Sequence, residues 1–99
     1  MFDAKTMLAA FERPTFIDAE GEKYVGIPLS HPQYQACLKA LDEAGTDQEK
    51  SDAALKAALE LMQLPADKIL ALPDGLFWGA MRDFFRCCRA GPPAGNGTP

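Results

Sequence analysis

The sequence predicts a mainly α-helical domain with a small N-terminal β-hairpin, an α+β fold in which a helix hairpin and a C-terminal helix pack on a two-stranded ribbon. Two stretches repeat apolar residues at helical spacing behind strong helix starts, and one earlier stretch is rich in strand formers around a glycine turn. Two Leu-Pro steps divide the remaining chain into short helical pieces. We expect residues 1–89 to form one globular domain, and residues 90–99, which lack charged and large apolar side chains, to be a disordered tail.

The first element is a short amphipathic helix over residues 1–12. Asp3 can cap its start, and Pro14 enforces its end because the residue before a proline avoids the helical region. Two roles fit such a segment. It docks on the core of its own chain, or it is an arm that reaches a neighbouring subunit.

A β-hairpin is predicted over residues 15–29. Strand-forming residues stand on both sides of a polar turn, and Gly21 in that turn can take a positive φ. Gly26 inside the second strand segment suggests a bulge. Since two isolated strands are marginal in water, we expect helices or strands of another copy to cover them.

The helical body spans residues 31–88 and opens with two capping boxes. Ser30 and Gln33 form the first, and Thr46 and Glu49 form the second. Because only a short glycine turn separates the two helices that follow, they should lie antiparallel as a hairpin. The many alanines of the second helix permit close approach of a neighbouring helix.

The last helix, which begins at Pro73, is apolar over an unusually wide arc. At about 100° per residue its apolar side chains cover roughly 200°, against the ~100° that a core-facing helix needs. Either other helices cover both flanks, or Trp78 and Phe85 meet another protein chain. Aromatic, methionine and arginine side chains are enriched in interface cores, and exposed apolar patches mark contact sites. We therefore assign a protein-binding surface to Phe77, Trp78, Met81, Arg82, Phe85 and Arg89.

Charge and hydropathy exclude several classes of partner. The chain has a net charge of −4 and no basic run, which argues against nucleic-acid binding. No apolar run approaches the ~20 residues of a membrane span. No signal peptide is evident at the N-terminus, so we expect a cytoplasmic protein that does not contact a membrane.

No catalytic or cofactor-binding set of residues is recognisable. The three cysteines are an odd number and are interpreted as reduced thiols packed on apolar faces. His31 is the only residue left to complete a four-ligand zinc site with them, and it stands beside Pro32, so we predict no metal. Arg86 and Arg89 could lower the pKa of the thiols of the adjacent cysteines, which leaves a redox role as a minor alternative. The prediction is a protein that is not an enzyme and has no cofactor.

Two sequence patterns resemble those of a known family. The first, IDxxGxxYxxxPLS, runs from Ile17 to Ser30, and the second, LPxxxxxALPxxxFxxxxxxFF, runs from Leu64 to Phe85. Together they resemble the small tail assembly chaperones of long-tailed bacteriophages, over roughly residues 14–88.

The resemblance implies a non-enzymatic protein of the host cytoplasm that takes part in viral morphogenesis. It would bind the tape measure protein, keep that long helical chain soluble, and help recruit tail tube subunits. The alternative from the residues alone is a small helical adaptor or a head–tail connector domain. In either case the surface of the last helix could serve a client or self-association into a homo-oligomer.

Overall fold

The computed structural model describes residues 2–89, and the tail predicted at 90–99 lies outside the described residues. The fold is mainly helical with one two-stranded antiparallel sheet near the N-terminus, as predicted. The elements are α1 (Ala4–Ala10), β1 (Thr15–Ile17), β2 (Lys23–Val25), α2 (His31–Ala44), α3 (Gln48–Leu61), α4 (Ala66–Leu70) and α5 (Asp74–Arg89).

The hairpin forms because its turn satisfies its own backbone. The Asp18 carboxylate accepts from the backbone N–H groups of Glu20 and Glu22 at 3.0 and 2.9 Å, and Gly21 takes the expected positive φ of 87°. The register pairs Phe16 with Tyr24, whose rings stack at 6.2 Å on the side that faces the core. The ribbon therefore contributes one face to the core.

Gly26 does not form the predicted bulge. Strand β2 ends at Val25 with an uninterrupted register, and the Gly26 N–H donates to the Pro14 carbonyl oxygen at 2.8 Å. A Cβ at position 26 would run into the Met62 carbonyl oxygen and the Leu64 side chain. Close packing of the ribbon on the end of α3 is therefore what requires glycine.

Side-chain caps start both helices of the α2–α3 hairpin. Ser30 and Gln33 form the predicted reciprocal pair, with the Gln33 N–H donating to Ser30 Oγ at 3.3 Å and the Ser30 N–H to Gln33 Oε1 at 2.9 Å. The cap of α3 is Asp47, which accepts from the Lys50 N–H at 3.2 Å, rather than the predicted Thr46. A three-residue connection then turns α3 back along α2.

The last two helices close over the ribbon and α3. Two residues after α3, Gln63 lies in the left-handed region at φ 61°, and the Leu64 N–H donates to the Leu59 carbonyl oxygen at 3.0 Å. These features redirect the chain into α4. One core results, to which the ribbon, the segment after it and every helix from α2 to α5 contribute. Its buried residues are Phe16, Leu29, Cys37, Leu55, Ala58, Leu59, Met62, Leu64, Ala66, Ile69, Phe77, Met81 and Phe84.

Candidate functional site

The inner side of α5 is core, which corrects part of the predicted binding surface. Phe77 and Met81 are only 7% and 1% exposed, and Phe84 between the same neighbours is 1% exposed. They are buried because they belong to one cluster with core residues of the ribbon, α3 and α4. Phe77 and Met81 are therefore core residues, and their assignment to an exposed protein-binding surface is wrong.

Phe85 lies on the border between core and surface. Its ring is half-buried and meets the Tyr34 ring of α2 edge-to-face at 5.8 Å between centroids. Helix α2 thus covers the flank of the 200° arc in part, at Phe85, whereas Trp78 on the same flank stays 41% exposed. The remaining large apolar side chains exposed on α5 are those of Leu76 and Trp78.

Trp78 lines a surface pocket with an acidic rim, called the Trp78 pocket below. The indole is 41% exposed and rests edge-on against Phe77 at 5.0 Å. The pocket has a volume of about 290 Å³ and joins the start of α3, the end of α4 and the start of α5. Its other lining residues are Gln48, Asp52, Leu70, Leu72 and Asp74.

A row of arginines continues along the exposed side of α5. Arg86 donates to both carboxylate oxygens of Glu12 at 3.2 and 2.8 Å and to Asp83 at 2.8 Å. The hydrogen bonds from Arg86 lower the pKa of the Glu12 carboxyl, and those to Glu12 raise the pKa of Arg86 itself. Within residues 2–89, Arg82 and Arg89 form no ion pair and are exposed. These two predicted site residues are therefore available to acidic groups of another molecule.

The arginines do not activate the neighbouring thiols. Burial raises the pKa of Cys37, Cys87 and Cys88, and for Cys87 the nearby Glu12 carboxylate adds to the rise. The Cys88 sulfur also accepts from the Leu29 N–H at 3.3 Å. The expectation that arginines lower a thiol pKa is wrong for Cys87, because burial and Glu12 outweigh Arg86 there.

A second uncovered face, which was not predicted from the sequence, lies on the outer side of the α2–α3 hairpin. It is an apolar groove of about 340 Å³, called the alanine groove below. Both helices contribute residues at i, i+3, i+4 and i+7 spacing, so the groove follows the helix axes. The lining residues are Pro32, Gln33, Ala36, Cys37, Ala40, Ala54, Ala57, Ala58 and Leu61. The alanine spacing was the available signal, but it was interpreted only as a site of close helix packing.

Between residues 2 and 89, histidine, cysteine and carboxylate side chains form no group of three that could hold a metal ion. In the same part of the chain, no helix combines the length and apolar character needed to cross a membrane.

Comparisons with known proteins identify no relative. No protein-family model, no curated protein and no solved structure matches the chain.

Proposed function

We propose that this protein is a non-enzymatic assembly chaperone of the phage tail type, which binds an amphipathic helix of a client protein in the alanine groove. The observation that carries the proposal is that this groove is apolar, elongated and uncovered. Its partner is the tape measure protein, whose long helices need cover until tail tube subunits assemble around them. The sequence resemblance supplies the identity of the client, and the groove supplies the mode of binding.

The groove suits a helix better than a small molecule or a strand. It runs between two packed helices, and Ala36 and Ala40 face Ala54 and Ala57 across it. Methyl side chains let a third helix approach closely enough for its larger apolar residues to fill the space. Such a partner completes a three-helix layer, the helix-in-groove mode of recognition.

The groove lining explains how one small protein could bind many stretches of a long client. Gln33 is the single polar residue among the nine that line it, and none is charged. Binding then depends on the apolar area that is removed from water. Any helix with an apolar stripe can supply that area, so no particular client sequence is required.

The test is co-expression with the tape measure protein, with the soluble fraction of that protein as the readout. Ala57→Glu places a charge in the groove, and Ala53→Glu places the same charge one turn earlier on an exposed site that does not line it. We expect the wild-type chain and Ala53→Glu to keep the tape measure protein soluble. With Ala57→Glu, the gain in its soluble fraction should be at least tenfold smaller. Equal soluble fractions with and without the wild-type chain would refute the proposed client. Equal performance of the two variants would refute the proposed site.

A further inference from the structure

The exposed side of α5 carries opposite charges at its two ends. At the N-terminal end, the carboxylates of Asp52 and Asp74 flank the exposed indole of Trp78 in one pocket. Toward the C-terminal end, Arg82 and Arg89 project from the same side of the helix without an ion pair within the described residues. An indole edged by carboxylates is a receptor for a guanidinium group, through cation–π contact and charge-assisted hydrogen bonds.

The spacing of receptor and arginine is self-complementary. Trp78 and Arg82 are one helical turn apart, about 6 Å along the axis. If a second α5 crosses the first in the opposite direction, centred at the level of residue 80, then Trp78 of each copy faces Arg82 of the other. Both contacts form together, as two-fold symmetry requires.

Gly79 lies one residue from the centre of this crossing, beside Arg82. It is exposed on the arginine-bearing side, and a Cβ built on it would have no heavy atom within 4 Å. A missing side chain at this point lets two helix axes come close. Antiparallel helices also set the positive end of one helix dipole beside the negative end of the other.

From this complementarity we propose that the chain forms a closed dimer with a second copy of itself through antiparallel contact of the two α5 helices, with Arg82 of each copy seated in the Trp78 pocket of the other. Arg89 flanks this contact and Phe85 borders it. The inference goes beyond the proposed function, because it concerns a different face and does not depend on client binding.

A charge swap tests the dimer directly, with sedimentation equilibrium as the measurement. Arg82→Glu would place a carboxylate against the carboxylates of the partner's pocket. The double variant Asp52→Lys with Asp74→Lys would place two ammonium groups against the partner's arginine. We expect each to weaken self-association at least tenfold when alone, and an equimolar mixture of the two to associate at close to the wild-type strength. A mixture that stays monomeric at concentrations where the wild type is dimeric would overturn the proposal, as would a monomeric wild type.

A steric variant guards against the possibility that charge changes act through folding. Gly79→Leu replaces glycine by a better helix former in open space, so the monomer should be at least as stable. Ala53→Leu, the matched control, adds apolar bulk to an exposed helix position that does not line the Trp78 pocket. We expect Gly79→Leu to be monomeric and Ala53→Leu to dimerise as the wild type does. Unchanged self-association of Gly79→Leu, with its helical circular dichroism intact, would contradict a crossing beside this residue.

Discussion

The alanine groove and the exposed side of α5 are both uncovered, but their chemistry differs. The groove has small apolar side chains and no charge. The side of α5 combines an indole, two carboxylates from its pocket, and arginines. Apolar area gives affinity with little demand on the partner's sequence, whereas placed charges fix orientation and exclude wrong partners. The comparison therefore favours a variable helical client for the groove and one defined partner for α5.

Both faces depend on the same core, so the largest effect should come from breaking it. Phe84→Ala empties a fully buried site of this core and should lower the free energy of unfolding by about 3–5 kcal/mol. Leu76→Ala, at a 63% exposed site of the same helix, should change it by no more than about 0.5 kcal/mol. Urea denaturation followed by circular dichroism measures both. Similar losses for the two variants would mean that α5 is not packed as described.

The second largest effect is expected from a substitution in the alanine groove, which should change client binding without changing self-association. Ala57→Glu should weaken binding of an amphipathic client helix by at least tenfold, because the partner's apolar stripe would have to desolvate a carboxylate. Self-association should not change, since Ala57 lies neither on α5 nor in the Trp78 pocket. Calorimetric titration with a client peptide measures the affinity for the client, and sedimentation of the variant alone measures its self-association. A parallel loss in both would show that the two faces are not independent.

A substitution in the Trp78 pocket should do the converse and weaken self-association alone, by a smaller factor. Trp78→Ala removes the aromatic wall of the pocket and leaves the carboxylates of Asp52 and Asp74, so we expect self-association to weaken by roughly tenfold, about 1.4 kcal/mol. Client binding should be retained. The same pair of measurements applies, and loss of client binding with intact self-association would reverse our assignment of the two faces.

The smallest effect concerns the ion pair that ties the segment after α1 to α5. Hydrogen bonds from Arg86 lower the pKa of Glu12 from its ordinary value of 4.5. The folded state therefore gains stability from this contact above pH 4.5, and loses it as the pH falls through the lowered pKa. Glu12→Gln should flatten the dependence of the melting temperature on pH in that acidic range. Glu43→Gln, at an exposed site with no ion pair in the described region, should follow the wild type.

The sequence predicted those features that arise from local interactions. Three such features are the capping box of Ser30 and Gln33, the cap by Asp3 and the positive φ of Gly21. Each involves residues within a few positions of one another, so the sequence pattern alone predicts it. The left-handed Gln63 could not be predicted in this way, because glutamine, unlike glycine, has no preference for a positive φ.

The candidate site was only half predictable for the same reason. A helical wheel gives the width of the apolar arc on α5, but not which part of that arc its neighbours cover. Phe77 and Met81 were assigned to the surface and lie in the core, whereas Trp78, Arg82 and Arg89 are exposed as expected. The alanine groove depends on the relative rotation of α2 and α3, which long-range packing sets.

Methyl-resolved NMR on the wild-type chain tests the separation of the two faces most directly. An unlabelled amphipathic helix from the tape measure protein is added while the alanine methyl and tryptophan indole signals are followed. Our account predicts shifts concentrated at Ala36, Ala40, Ala54 and Ala57, with the Trp78 indole signal unchanged. Shifts at Trp78 with unmoved groove methyls would contradict it.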